Sequence, residues 1–138
     1  MSLKPLYLLD TNICIYLMKQ QPPQVAERFA RCRVGEVVIS AITAAELEYG
    51  VVASGDAAAA NRAALHSFLL EVPVAPFDAR AARAYGPVRW LSRERLRDAL
   101  DKLIAAHALA LGVVLVTNNP SDFQAYSDLT IENWVESA

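Results

Sequence analysis

Apolar and polar positions along this chain fall into two alternating kinds of block. Short, mainly apolar runs at 6–9, 36–39, 72–75, 113–116 and 129–131 have the length and content of strands buried on both faces. Between them lie longer stretches with apolar residues at helical spacing: about 12–19, 22–32, 42–53, 57–70, 79–93 and 98–111, with a short one near 121–125. Pro22 and Pro23 suit the opening turn of the second of these, and Ser54-Gly55-Asp56 reads as a turn and cap between two helices. Strands that alternate with helices in this way predict an α/β fold, a parallel sheet with helices on both faces.

Two of the strand-like runs end in the same manner. "LLDTN" carries the first into Asp10, Thr11 and Asn12; "LVTNN" carries the fourth into Thr117, Asn118 and Asn119. Ligands of open parallel sheets bind just beyond the carboxyl ends of strands, so an acid there is placed for chemistry. Asp10 reads equally well as the cap of the next helix. Glu46 opens the helix that follows the second strand, where Thr43 and Glu46 also spell a capping box. Asp101 enters an otherwise apolar helix in which Leu100, Leu103, Ile104, His107 and Leu111 trace one face and Ala105 and Ala108 follow the acid on another. An acid in a first turn favours the helix dipole, yet one in such apolar surroundings usually has a partner or a metal. Asp98 lies one turn earlier, and Glu94 extends that line if the helices are continuous. Asp122 follows the Asn-Asn-Pro turn and reads as a cap or as a fourth site acid. Four separated carboxylates, each at a strand end or helix start, form an oxygen-rich set suited to a hard divalent cation that activates water against a phosphodiester. No P-loop, Gly-rich dinucleotide fingerprint, Cys/His metal pattern or nucleophile elbow competes.

Composition narrows the class. With 138 residues and 54% hydrophobic content, the chain fits one domain spanning 1–138, without linker or repeat. The longest apolar run, 103–116, is interrupted by His107 and Gly112 and is shorter than the roughly 20 residues of a membrane span. The amino terminus lacks the basic stretch and apolar core of a signal peptide, which points to the cytoplasm. Cys14 and Cys32 have no metal-ligand spacing and read as small core residues, as His107 reads as a hydrogen-bonded core histidine. The net charge is −2, but it is unevenly spread. From Arg80 to Lys102, seven of the thirteen basic residues stand against three acids, a net +4. Within it Arg80, Arg83, Arg89, Arg93, Arg95 and Arg97 are candidates for phosphate contacts, although such a run also serves as a solvated helix face.

The segments "LLDTNICIYL", "ISAITAAELEYG", "LDKLIAAHALALG" and "LVTNNPSDF" together resemble, in order and over nearly the whole chain, the signature segments of PIN-domain ribonucleases, and most closely the VapC-type toxins of toxin–antitoxin pairs. The resemblance implies a three-layer α/β/α fold with a mainly parallel central sheet and a Mg²⁺-dependent endoribonuclease, with Mn²⁺ as the alternative ion. It implies Asp10, Glu46 and Asp101 as core acids with Asp122 the fourth, the metal held chiefly by Asp10 and Asp101. Thr11 or Asn12 would orient Asp10, with Thr117 and Asn119 also beside the acids. It further implies a tRNA or ribosomal RNA loop as substrate, a VapB-type antitoxin partner and a toxin homodimer, with no membrane. One position departs from the pattern: the third acid is usually approached through a glycine, as in "GPLD", where this chain has Asp98 in "DALD". Two other readings stand beside this one, an Asp-nucleophile phosphatase and a catalytically impaired RNA-binding relative.

Overall fold

The computed structural model describes residues 4–136. Eleven elements carry the fold: β1 (Tyr7–Leu9), α1 (Thr11–Lys19), α2 (Pro23–Ala30), β2 (Val37–Ser40), α3 (Ala41–Ala53), α4 (Ala58–Glu71), β3 (Val74–Ala75), α5 (Ala79–Leu91), α6 (Ala99–Leu111), β4 (Val114–Val116) and β5 (Ile131–Glu132). The strands form one sheet in the order β3-β2-β1-β4-β5, and every pairing is parallel. The chain builds outward from β1 on one side and then crosses to the other, so the strand order reverses between β1 and β4. That crevice is the expected binding position of an open parallel sheet.

Because successive strand residues face opposite sides, each strand feeds two cores. Leu9, Val37, Ile39 and Val116 pack with Ile13, Val25, Leu47, Leu65 and Phe68 beneath α1 to α4. Leu8, Val38 and Leu115 pack on the other face with Val88, Ile104, Ala105 and Ala108 of α5 and α6. The result is a three-layer α/β/α arrangement. Arg80, at the start of α5, donates to the carbonyl of Ala110 at the end of α6 (2.8 Å), and Lys102 near the start of α6 donates to the carbonyl of Ser92 just past α5 (3.1 Å), so these two helices run antiparallel.

The boundaries follow local chemistry. Ser40 caps α3, its Oγ accepting from the Ile42 amide at 3.0 Å, so this helix begins earlier than the capping box reading requires. Thr43 is then buried inside the helix with its hydroxyl unpaired, and no Thr43–Glu46 capping box forms. Asp78 caps α5 through the Arg80 and Ala81 amides. Asp56 caps nothing: residues Gly55–Ala57 form a 3₁₀ turn that runs into α4. α5 ends at Leu91, and residues 92–98 form a loop before α6, so Glu94 does not continue the Asp98–Asp101 line along one helix. Gly112 closes α6 in the left-handed conformation (φ 68°), which glycine adopts without a steric penalty. The segment expected near 121–125 is a 3₁₀ turn at Pro120–Phe123, and the last strand is displaced to Ile131–Glu132. Cys14 and His107 are buried as expected; Cys32 is half-buried. Leu100, expected on the buried face of α6, is 44% exposed.

Candidate active site

Asp10, the first residue past β1, sits at the strand-order reversal. Its amide donates to the carbonyl of Val116 (3.0 Å), which extends the β1–β4 ladder to the last residue before the cleft. One carboxylate oxygen accepts from the Ile13 amide (3.0 Å), capping α1. The cap and site readings of this residue are therefore compatible: one oxygen holds the helix, and the residue still lines the cleft. Burial pushes the Asp10 carboxyl up from its ordinary value; bonds from the Thr117 hydroxyl and the Ile13 and Asn12 amides pull it back down, and Glu46 adds like-charge repulsion.

The cleft is lined by Asp10, Thr11, Asn12, Glu46, Asp101, Thr117, Asn119 and Asp122, with Phe123 as its one large apolar side chain. All four candidate acids thus meet in one place, from β1, α3, α6 and the turn after β4. Glu46 is positioned by Thr11, whose hydroxyl donates to its Oε1 at 2.8 Å. This alters one expectation. The side chain of Thr11 orients Glu46, whereas Asp10 is oriented by the Thr117 hydroxyl and by the backbone, not the side chain, of Asn12. Thr117 is fully buried and also accepts from the Asn119 amide (3.0 Å), so it ties the β4 end to Asp10 and shapes the turn. Asn118, beside the cleft, donates to the Tyr16 hydroxyl of α1 at 3.4 Å.

Asp101 is the most perturbed acid. Burial, then the charges of Asp98, Asp122, Asp10 and Glu46, push its carboxyl up to about 6. The other side of the cleft contains a cation that the charge pattern alone did not single out. Arg95 donates from Nε (2.8 Å) and Nη2 to Asp98 Oδ2 and from Nη2 to Asp122 Oδ1 (2.8 Å). Those two carboxylates hold the guanidinium protonated far above its ordinary range. Asp98 itself occupies the left-handed region (φ 65°) and makes no cap bond to α6. A glycine meets that backbone requirement without strain, and Asp is among the few other residues that tolerate it. Asp98 therefore bends the chain into α6 as a glycine would and offers its carboxylate to Arg95.

The six arginines do not share one surface. Arg80 lies at the end of α5 remote from the cleft, bonded to Ala110. Arg83 and Arg89 are exposed along the same helix, and Arg97 is exposed in the loop. Arg93 stacks over the Trp90 ring at 4.0 Å and, with Arg95, lines a pocket that adjoins the cleft through Asp122. Sequence reasoning missed Lys102, which is buried, with its amine donating to the carbonyls of Ser92 and Arg95. A lysine in the first turn of an apolar helix, where a cation opposes the dipole, was the signal available.

Among the described residues no three His, Cys, Asp or Glu side chains form a ready-made metal cage. The cleft's donors are carboxylate and amide oxygens without sulfur or imidazole, which matches a hard cation. Mg²⁺ is characteristically held by one or two carboxylates with waters completing the shell. The electrostatic deficit at Asp101, crowded by four like charges, is of the kind a bound cation offsets. The residues present fit such an ion.

Comparison with known proteins agrees with this fold. The family model described as PIN domain matches residues 7–129. The chain is 38% identical over 130 residues to the tRNA(fMet)-specific endonuclease VapC of Shigella flexneri, covering 93% of this chain and 97% of that one. It is 37% identical over 131 residues to Ribonuclease VapC2 of Haemophilus influenzae, covering 94% and 98%. The crystal structure of VapBC2 from Rickettsia felis bound to a DNA fragment from their promoter contains a chain that superposes with a TM-score of 0.85 at 33% identity, covering 94% of this chain and 98% of that one.

Proposed function

The chain belongs to the PIN-domain family and, within it, to the VapC ribonucleases, and we propose that it is a divalent-metal-dependent endoribonuclease that cuts a structured RNA and is silenced by a VapB-type antitoxin. The observation that carries the proposal is the meeting of Asp10, Glu46, Asp101 and Asp122 at the reversal of strand order. Asp10 and Asp101 would hold Mg²⁺ or Mn²⁺, with Glu46 and Asp122 acting directly or through water. When bound, the cation supplies Lewis acidity toward the phosphodiester and its attacking water. The protein's own part is positional: Thr117 and the α1 amides fix Asp10, and Thr11 fixes Glu46. Asn119, exposed at the rim, is available to a water or a ribose hydroxyl.

The RNA class follows from the relative specific for tRNA(fMet): a tRNA or ribosomal RNA loop, whose unstacked bases offer readable edges. Arg89, Arg93 and Arg97, at the cleft end of α5 and in the loop, are the phosphate contacts of this reading; Arg80 and Arg83, toward the other end, are less suited. The antitoxin has a fitting surface. An apolar groove formed by Ile15, Met18, Leu47, Val51 and Leu65 adjoins the cleft through Thr11 and Glu46, so a partner segment lying in it would reach the acids. Similarity to the VapBC2 complex supports such a partner. The toxin homodimer, the single domain over 1–138 and a cytoplasmic location belong to the same proposal. Among the described residues no helix is long and apolar enough to cross a membrane.

The rival readings lose ground on particular contacts. One oxygen of Asp10 is already engaged as a helix cap, unlike a free phosphatase nucleophile. The carboxylate of Asp98 is directed to Arg95, which removes the reason to regard this substitution as having ruined the site. The test is cleavage of total cellular RNA by the purified chain with and without Mg²⁺, beside Asp101→Asn. A discrete, metal-requiring product that disappears in the variant is expected. RNA binding in EDTA with no cleavage on adding Mg²⁺ would instead make the chain a binding module.

A further inference from the structure

Asp98 is the chain's departure from its family pattern, and the nuclease reading leaves it without a role. In the structure it is one member of a three-residue unit. The Arg95 guanidinium bonds Asp98 through both Nε and Nη2, and Nη2 also bonds Asp122. The unit spans two segments 27 residues apart in sequence, joining the 92–98 loop to the turn after β4. The backbone holds it as well: Asp98 takes the left-handed conformation, and Lys102 anchors the Ser92 and Arg95 carbonyls from within α6. Arg95 Nη1 makes no hydrogen bond among the described residues. The fork is thus committed to the two carboxylates along one edge only.

We propose that Arg95, aimed by Asp98, is a positioning residue that holds Asp122 at the wall of the cleft and so sets how much of its charge reaches a bound divalent cation. The role rests on the reading of the cleft as a cation site. Among the described residues, Asp122 is the only one of the four acids bonded to a cation. Asp10 and Glu46 are oriented by hydroxyl groups and backbone amides, which leave their charge whole. A carboxylate paired in this way contributes less attraction to a cation than an unpaired one at the same distance. The pattern residue glycine supplies the same backbone bend but cannot aim an arginine. On this reading Asp98 adds a control on the fourth acid without adding a ligand.

The test is Mn²⁺ affinity of the purified full chain, by calorimetry and by the electron paramagnetic resonance signal of free ion, at low ionic strength. Arg95→Gln is expected to bind Mn²⁺ about five-fold more tightly, since Asp122 is freed from the cation that pairs its charge. Asp98→Gly keeps the backbone conformation but removes both the aim and a carboxylate charge that acts on Asp101, effects of opposite sign on cation binding, so a change smaller than that of Arg95→Gln is expected. Arg95→Lys, which keeps the charge, should stay near the wild type. In an Asp122→Asn background the Arg95→Gln gain should shrink below about two-fold, because the effect runs through Asp122. An equal gain in that background would overturn positioning in favour of a plain field effect. Unchanged or weaker binding by Arg95→Gln, with wild-type binding intact, would overturn the Arg95 role alone; absence of Mn²⁺ binding by the wild type would overturn the cation site and this role with it. Should Arg95→Gln fail to fold, Arg95→Met, which keeps the apolar length of the side chain and removes the same charge, takes its place in the same comparison.

Discussion

On the strand side of the cleft, Asp10 is held by a buried hydroxyl, by amides of the helix it caps and by a backbone bond to β4, and it is 7% exposed. On the helix side, Asp122 is held by an arginine whose side chain is 39% exposed, itself aimed by an aspartate in a left-handed turn. One wall is built from the sheet and cannot shift without disturbing the ladder. The other is built from charges on a loop, and surface ion pairs contribute little stability, about 0–1 kcal/mol. The cleft is thus rigid on the strand side, where the ladder holds Asp10, and adjustable on the helix side, where an exposed ion pair holds Asp122.

The largest expected effect breaks the strand side electrically while leaving it intact mechanically. Asp10→Asn keeps an oxygen for the Ile13 amide, so α1 stays capped, but removes the charge. RNA cleavage should fall by about 100-fold or more, since the charge stabilisation at stake is several kcal/mol. The melting temperature of the metal-free protein at pH 7 should hold or rise, because burial already opposes the ionised form. A stable variant with full metal-dependent cleavage would remove Asp10 from the chemistry.

Thr117→Val tests whether the strand side depends on its hydroxyl. Valine matches the shape, but the bond to Asp10 and the acceptor for the Asn119 amide are lost. Loss of a residue that orients a metal ligand commonly reduces affinity or activity by about 10-fold or more. Mn²⁺ titration and cleavage rate should both report it. No change in either would mean that the backbone alone positions Asp10.

Lys102→Met asks how firmly the helix side is anchored. The variant deletes the bonds to the Ser92 and Arg95 carbonyls; Ser92 keeps the bond from the Arg95 amide, but the Arg95 carbonyl loses its partner, which costs about 1–3 kcal/mol. Hydrogen exchange should accelerate in residues 92–98 and remain unchanged in β1 and β4. Equal acceleration in the strands would show that the two walls are mechanically one.

The same contrast explains what could be read from the chain before its structure. Asp10 and Thr117 were legible because an apolar run that ends in polar residues marks a strand end, and strand ends meet at one edge of a parallel sheet. Asp101 stood out as an acid in an apolar helix. Glu46 was hidden behind Thr43, since a capping box and a site acid share a spelling; the start of α3 at Ser40 removes the cap reading, and that depends on where the sheet delivers the chain. Arg95 could not be distinguished from its five neighbours. Its contact with Asp122 requires the loop to fold back over the sheet end, and local spacing carries no record of such a return. Lys102 was obscured in the same way, because its partners are carbonyls of that loop.

The smallest effect is a pH shift that compares the walls directly at Asp101, which faces both. Its carboxyl ordinarily titrates near 3.8 and is pushed up to about 6, by burial first and by Asp98 next. A raised folded-state pKa favours the protonated form, so this group's contribution to the metal-free fold is complete below about pH 4 and is lost as pH rises through about 6. Thermal melts of the metal-free protein should show that decline, and Asp101→Asn should flatten it. A divalent cation selects the ionised form, so the melting-temperature gain from Mg²⁺ should grow over the same interval. Asp98→Asn removes one helix-side charge and should move the Asp101 midpoint downward in a carboxyl-detected NMR titration without abolishing the shift, since burial remains. A midpoint near 3.8 in the unsubstituted protein would mean that the helix side stands open to water. A midpoint indifferent to Asp98 would mean that the loop's charges do not reach the acid they flank.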